Sequence, residues 1–399
     1  KLTYGADWSE YFGHQPPDGT GDAFFHLDPL WAHPEIAAIG IDNYMPLSDW
    51  RDADHDGGNA DGFETPCDID GLMAAIAGGE GFDWYYPDDA ARAARERAPI
   101  TDGSGKPWVY RYKDLVNWWS NPHFDRIRGV EVSTPTAWIP RSKPIWFTEL
   151  GCPAVDKGPN QPNVFPDPKS SESASPYFSS GGRSDIAQRN FLEAHQRYWD
   201  PSLAGFEDAR NPPAPGGFRM LDHTRTLLWA WDARPFPAFP IRSDEWRDGG
   251  NWHLDHWLNG RLESSSCSDL INRILADHGV EGADTRYAEG MVQGYVLQDP
   301  TTARAALEPI TDLFGIMAVD EPDRLGFRPG RSGRARAMPG GGGCPTGAAA
   351  PDATRRARAG RTPARPAPGR PSAGRRRAAG RARRRRVRPR WPPPPRRTR

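Results

Sequence analysis

The residue best placed to take part in a reaction is Glu149, which ends a short apolar run over residues 144–149. Barrel enzymes place their catalytic groups at the C-terminal ends of buried strands, so a carboxylate at this position could take part in catalysis. It could serve as the nucleophile of a retaining glycosidase, which needs a second carboxyl group about 5–5.5 Å away. The alternative is a structural glutamate that bonds to neighbouring backbone or to an arginine.

Polar residues also follow a second apolar run, over residues 36–42. Asp42 ends this run, and Asn43 and Tyr44 come next. A tyrosine hydroxyl at the same sheet edge could donate a hydrogen bond to Glu149 and stabilise its ionised form. We therefore predict that Tyr44 supports Glu149.

Tryptophan is frequent, with 16 residues among 399. Indole and phenol rings stack on the apolar faces of sugars while their polar atoms meet hydroxyl groups. Most of the rings must serve ordinary core packing, but those near strand ends are candidates for a glycan site. The predicted substrate-binding residues are Trp8, Asp42, Asn43, Trp84, Tyr85 and Trp231.

Residues 52–57 resemble the opening of a calcium loop, with acids at the first, third and fifth positions and Gly57 at the sixth. The twelfth position is Phe63 where the loop needs a glutamate, so a solvated acidic loop is the favoured interpretation. The chain contains no phosphate loop, no Gly-x-Ser-x-Gly and no His-Glu-x-x-His. We predict neither a metal site nor a cofactor.

The elements that must position these residues alternate along the chain. Apolar runs predict strands at 2–7, 36–42, 144–149 and 226–231. Apolar residues spaced near 3.6 predict helices at 70–78, 88–98 and 185–199. Near-continuous apolar strands alternating with helices are typical of a buried parallel sheet in an α/β fold. Because no Gly-x-Gly-x-x-Gly follows any strand, we favour a TIM-type (β/α)₈ barrel, of which four strands are the C-terminal half.

The barrel portion is predicted to span residues 1–245, followed by an aromatic and polar bridge over 246–262. Residues 263–327 predict the beginning of an α+β module, with helices at 269–278 and 301–314 and a strand at 292–297. The turn at Asp299 and Pro300 is expected to cap the second helix.

The C-terminal segment 328–399 differs from the rest in charge, with 23 Arg, no Lys and one acid for a net of +22, against −23 for residues 1–327. It lacks Ile, Leu, Phe and Tyr and cannot bury enough apolar surface to fold, so we predict a disordered tail. A nucleic-acid-binding arm is one interpretation. Out-of-frame translation of a GC-rich gene is the other, and the absence of lysine favours it. No specific nucleic-acid partner is predicted.

Two further classes are disfavoured by composition. No run of 18 apolar residues occurs and the N-terminus lacks a signal-peptide pattern, so we predict neither a membrane span nor export. Widely spaced cysteines argue against a disulfide framework or a zinc knuckle. They are Cys67, Cys152, Cys267 and Cys344.

Five sequence motifs carry a family resemblance: residues 5–14, 41–50, 79–86, 143–153 and 156–163. They resemble the glycoside-hydrolase, TIM-barrel-like domain of the large tail-tip proteins of gene transfer agents and related phages. The resemblance covers residues 1–260, and residues 261–327 are similar to the start of the hub module that follows this domain.

The resemblance implies a baseplate hub component at the tail tip of a phage-like particle, made in the bacterial cytoplasm and assembled as a homotrimer with other baseplate proteins. It further implies contact with cell-envelope glycan. It maps Glu149 to the nucleophile, Tyr44 to the rim after the sixth strand and Trp231 to the end of the eighth. The first four strands, with the acid/base glutamate, would then precede Lys1, and this chain alone would be inactive. Two hypotheses remain: a structural or recognition component, and a retaining glycoside hydrolase that degrades peptidoglycan or surface polysaccharide during entry.

Overall fold

The computed structural model describes residues 1–167, 173–260, 264–292, 294–297 and 299–330. The helices in these ranges are α1 (Asp28–Ala32), α2 (Asp54–Gly57), α3 (Ile69–Ala75), α4 (Asp89–Ala94), α5 (Leu115–Ser120), α6 (Asp185–Trp199), α7 (Ala238–Ile241), α8 (Cys267–Asp277) and α9 (Ala303–Phe314). The strands are β1 (Gly5–Asp7), β2 (Ile39–Asn43), β3 (Trp84–Tyr85), β4 (Ala98–Pro99), β5 (Arg126–Ile127), β6 (Val130–Glu131), β7 (Ile145–Leu150), β8 (Ser265–Ser266), β9 (Met291–Val292), β10 (Ile316–Asp320) and β11 (Leu325–Pro329).

The centre of the N-terminal part is a parallel sheet in the order β1, β2, β7. Ala6 pairs with Ile41, and Ile41 pairs with Phe147, all three in fully buried positions. Apolar strands of this kind favour parallel pairing because both faces can be covered. Three of the four predicted parallel strands are therefore confirmed.

The fourth predicted strand, residues 226–231, is not a regular strand. Leu227 and Trp229 each donate a backbone hydrogen bond of 2.9 Å to a carbonyl oxygen of β7, so the segment begins along that strand in parallel. Ala230 then leaves the sheet because its N–H donates instead to the carbonyl of His256 (3.0 Å). The four segments are neighbours in the order in which they occur along the chain, and in the described ranges they form an open sheet rather than a closed barrel.

Helix α6 covers one face of this sheet. Its N-terminus is capped by Ser184, whose hydroxyl accepts a hydrogen bond from the backbone N–H of Ala187 (3.3 Å), and its bounds match the predicted helix 185–199. The ring of Phe147 packs edge-on against His195 and Trp199 of α6. Residues on alternate positions of β7 point to the opposite, more open face.

Helices α3 and α4 lie in the two other predicted helical regions and are shorter than predicted. Asp68 and Asp88 cap their N-termini through backbone N–H groups. Helix α4 ends where Arg95 adopts a left-handed conformation (φ 58°), from which its guanidinium reaches Asp54. The predicted helix at 88–98 therefore stops early because the left-handed turn at Arg95 closes its C-terminus.

The C-terminal part has its own core, formed by α8, α9 and the antiparallel hairpin β10–β11. Both predicted helices are present, and Thr302 rather than the Asp299–Pro300 turn caps α9. Of the predicted strand at 292–297, Val292 pairs with Ser265 of β8, whereas residues 294–297 are not in a strand, so the prediction is wrong for those four residues.

The hairpin itself was not predicted, and it extends past the expected start of the tail at residue 328. Arg328 lies in β11 and donates to Asp284 (2.7 Å) and Glu321 (2.6 Å). These ion pairs bind Arg328 to the folded module. The predicted disorder of residues 331–399 lies outside the described ranges.

Candidate functional site at the sheet edge

The C-terminal ends of the parallel strands bring three carboxylates to one edge. Asp7 pairs in register with Asp42, and Asp42 pairs with Glu149 across an irregularity that follows Ile41. Neighbouring strands lie about 4.8 Å apart, so these side chains share one small region. The sequence predicts this convergence because each run ends on a carboxylate.

Glu149 and Tyr44 form the shortest polar contact at this edge. The Tyr44 hydroxyl donates to Glu149 Oε2 at 2.6 Å, which is the hydrogen bond expected from the sequence. Burial raises the pKa of the Tyr44 hydroxyl well above its ordinary value, and the hydrogen bond to Glu149 raises it further. Tyr44 therefore remains a donor throughout the physiological pH range.

The Tyr44 ring is held from the other side by His256. The two rings meet edge-on with centroids 5.8 Å apart, and His256 Nε2 lies 2.8 Å from the carbonyl oxygen of Pro162. Gly151 lies beside both rings: a Cβ there would be 3.3 Å from the Tyr44 ring and 2.6 Å from the Trp229 carbonyl oxygen. The absence of a side chain at Gly151 lets Tyr44, His256 and the backbone of Trp229 pack closely beside it.

Asp42 occupies a different environment from Glu149. Its Oδ1 accepts a hydrogen bond from the Thr148 hydroxyl at 2.7 Å. Burial raises the pKa of Asp42, the Thr148 hydrogen bond opposes the rise, and the charge of Asp7 adds to it. A Cβ at Gly5 would lie 3.0 Å from both Asp42 Oδ1 and Thr148 Oγ1, so the glycine leaves room for the pair.

One exposed tryptophan, Trp229, borders this edge, and a second, Trp231, lies two residues further along the chain. Trp229 and Trp231 are 48% and 65% exposed, and Trp229 is hydrogen-bonded to the end of β7 through its backbone. Of these two, only Trp231 is predicted from the sequence. Thr148 and His256 are not predicted. The alternation of Thr148 with Phe147 along β7 places it on the open face, whereas no sequence signal points to His256.

Two predicted substrate-binding residues lie next to the edge but serve packing. The Trp8 backbone N–H donates to the Asp42 carbonyl (3.1 Å), while its ring packs edge-on against Tyr112 at 4.8 Å. Asn43 is buried, and its Oδ1 accepts a hydrogen bond from the backbone N–H of Met45 (3.1 Å).

Trp84 and Tyr85 form β3, which pairs antiparallel with β4 in a separate two-stranded sheet. The Arg97 guanidinium lies 3.8 Å from the Trp84 ring centroid, which places this indole in an arginine-rich cluster. In the part of the chain that the structure describes, no ring contact or hydrogen bond joins either side chain to Glu149. The structure therefore does not bring this predicted pair to the sheet edge.

The acidic loop at 52–57 is used for ion pairing. Arg95 binds both carboxylate oxygens of Asp54 at 2.6 Å, and Asp49 accepts from Arg97 at 2.9 Å. Within the described ranges, no group of three or more metal-ligating side chains converges, here or elsewhere. The loop therefore resembles a calcium site in sequence, whereas in the structure its Asp54 pairs with Arg95.

An α/β sheet protein with carboxylates at its C-terminal edge is the class that this geometry defines. Residues 1–240 match the family model of the GTA TIM-barrel-like domain, where GTA denotes gene transfer agent. The chain belongs to this family, which confirms the family inferred from the five motifs. It is thereby related to components of phage-like particles.

A comparison with curated proteins found no match to the chain. None of the helices in the described ranges combines the length and hydrophobicity needed to span a lipid bilayer.

Proposed function

We propose that this protein is a tail-tip, baseplate hub component of a gene-transfer-agent particle and that its sheet edge recognises cell-envelope glycan. The observation that carries the proposal is the combination, at one edge, of the Tyr44–Glu149 pair and the exposed indole of Trp229. Carboxylates accept hydrogen bonds from sugar hydroxyls, and exposed indoles stack on sugar rings.

The C-terminal module supports a structural role. It has a separate core of α8, α9 and the hairpin β10–β11, which a free-standing glycosidase does not need. We propose that this module joins the chain to other baseplate proteins and that the assembled hub is a homotrimer. Light scattering of the chain mixed with its baseplate partners tests the copy number, and a strictly monomeric assembly would contradict it.

Glycan recognition is tested by retention of the full chain on immobilised envelope polysaccharide. A stacked indole contributes about 1 kcal/mol, so Trp229→Ala should weaken binding about fivefold, and the double variant with Trp231→Ala should weaken it further. Tyr85→Ala is a matched control because Tyr85 is exposed to the same degree as Trp229 (47% against 48%) and lies in the separate strand pair β3–β4. Equal losses for Tyr85→Ala and Trp229→Ala would argue against recognition at the sheet edge.

A second function, retaining glycoside hydrolysis, is favoured by one observation. Asp42 and Glu149 are register partners at the strand ends, and the pKa of Asp42 is raised mainly by burial. Glycoside hydrolysis uses two carboxyl groups in different protonation states, one as nucleophile and one as acid. In this proposal Glu149 is the nucleophile and Tyr44 positions it.

The two functions are separated by Glu149→Gln, which keeps the size of the side chain and removes its charge. Hydrolysis predicts that the wild-type chain, within its assembled particle, releases reducing sugar from an envelope fraction and that the variant does not. Pure recognition predicts particle assembly and DNA delivery by the variant, because the amide oxygen of glutamine still accepts a hydrogen bond from a sugar hydroxyl. Absence of sugar release by folded wild-type particles would exclude the hydrolytic function and leave recognition standing.

A further inference from the structure

A cavity of about 190 Å³ lies away from the sheet edge, between the N-terminal part and the C-terminal module. One wall comes from residues 64–70 and from α6, and the other comes from the start of α8 and from the loop at 285–289. Six carboxyl groups and two guanidinium groups line it. Neither the sheet-edge site nor the hub role uses this cavity.

Glu289 is the unusual group in the cavity. Its Oε1 is excluded from solvent and has no hydrogen-bond partner in the described part of the chain, although the residue keeps some exposed surface. Burial raises the pKa of Glu289 to about 7, with Thr65 opposing the rise through a hydrogen bond and Asp68 adding to it. A buried carboxyl oxygen without a donor is costly, so a donor placed there would be bound favourably.

The remaining charges around the cavity are mostly negative. The other carboxylates belong to Glu64, Asp68, Asp70, Glu193 and Asp269. The two guanidinium groups are already engaged, Arg197 with Glu193 and Arg286 with Asp284 at 3.0 Å. Glu64 and Asp70 are exposed, so the mouth of the cavity attracts cations.

The shape of the site favours one kind of cation. No set of three or more ligating side chains converges for a metal ion among the described residues. A planar guanidinium needs two acceptors in a fork, whereas Glu289 offers a single unpaired oxygen. An alkylammonium group can donate one of its three N–H groups to this oxygen and the others to water or to the other carboxylates of the cavity. The apolar side chains of Cys67 and Ile186 line the same cavity.

We propose that this cavity binds the ammonium group of a small alkylamine, anchored by the Glu289 carboxylate, with the alkyl chain against Cys67 and Ile186. Binding at this position ties the two walls together, because Cys67 and Ile186 belong to the N-terminal part and Glu289 to the C-terminal module. The amine therefore stabilises the joint between them.

Calorimetric titration of the full chain with n-butylamine tests the proposal, with 1-butanol as the neutral probe. A ligand of this size is expected to bind with a dissociation constant on the order of 1 mM at pH 8. Glu289→Gln should weaken binding at least about tenfold because it removes a charge-assisted hydrogen bond. Glu281→Gln, an exposed site in the same module but outside the cavity, should bind like the wild type.

The proton on Glu289 provides a second readout. Between pH 8 and pH 5.5 the ammonium must compete with that proton, so wild-type affinity should fall about thirtyfold. If the Glu289→Gln variant loses its native circular dichroism, this comparison of wild-type affinities at two pH values tests the proposal in its place. Absence of n-butylamine binding at pH 8, equal binding of 1-butanol, unchanged affinity in folded Glu289→Gln, or pH-independent affinity would each overturn the proposal.

Discussion

Lys113 gives the sharpest prediction about the layer behind the sheet. Its side chain is buried at 2% exposure, and its Nζ donates to the carbonyl oxygens of Ala75 (2.9 Å) and Gly78 (3.0 Å), at the C-terminal end of α3. Burial lowers the pKa of Lys113 to about 7, and nearby acids only partly oppose this. The native state therefore favours the neutral amine.

The sign of the effect on stability follows from proton binding. An unfolded lysine has a pKa of about 10.4, so between pH 7 and pH 10.4 the unfolded chain holds more protons than the native chain. The free energy of unfolding rises with pH in that window by about 1.4 kcal/mol per pH unit from this group. This contribution of Lys113 to stability is lost again as the pH falls toward 7.

The assay is urea unfolding of the wild type and Lys113→Met at pH 7.5, 8.5 and 9.5, followed by circular dichroism. Methionine keeps the apolar stem and leaves two carbonyl oxygens without their donor, which costs about 1–3 kcal/mol when the lysine is neutral. The free energy of unfolding of the wild type minus that of Lys113→Met should rise with pH, by about 2 kcal/mol across the series. Lys106→Met, at a half-exposed lysine, is the control and should keep the wild-type slope. Parallel pH profiles for the wild type and Lys113→Met would refute the reasoning.

Three further predictions concern other parts of the fold. Burial lowers the pKa of His195 to about 3, so the free energy of unfolding should fall as the pH drops below 6.5, by about 2 kcal/mol at pH 5. In urea unfolding, His195→Gln should remove this part of the pH dependence. The same decline in the variant would contradict the prediction. Gly40→Ala should lower the free energy of unfolding by about 3 kcal/mol in the same assay, because its Cβ would lie 2.2 Å from the carbonyl oxygen of Tyr4. Gly250→Ala is the control and should be nearly neutral, because a Cβ there meets open space. Equal effects of the two substitutions would refute this. Arg328→Ala should cost about 1 kcal/mol through loss of its 2.7 Å ion pair with Asp284, and no change in thermal unfolding would place Arg328 outside the folded module.

Much of the N-terminal fold could be predicted because hydrophobic periodicity decides it. The run ending at Glu149 and helix α6 follow directly from apolar spacing, and both occur where they were predicted. The segment at 226–231 has an equally apolar sequence but leaves the sheet because Ala230 forms backbone hydrogen bonds with His256 and Leu258. Competition between two backbone partners distant in sequence is not encoded in local spacing.

The candidate site shows the same limit. Carboxylates at strand ends can be predicted to converge, and the Tyr44–Glu149 hydrogen bond follows from that convergence. The edge-on packing of His256 depends on the bridge folding back over β7, so no local pattern reveals it. Residue type alone predicts Trp84 as a site residue, whereas its ring lies against the guanidinium of Arg97.

The most direct test of the central claim is hydrogen exchange of the full chain with and without soluble envelope polysaccharide. The proposed recognition edge predicts slower exchange in peptides that cover 42–46, 146–151 and 226–232, with no change at 80–86. Protection confined to 80–86, or no protection at the three edge segments under conditions where the polysaccharide is bound, would contradict it.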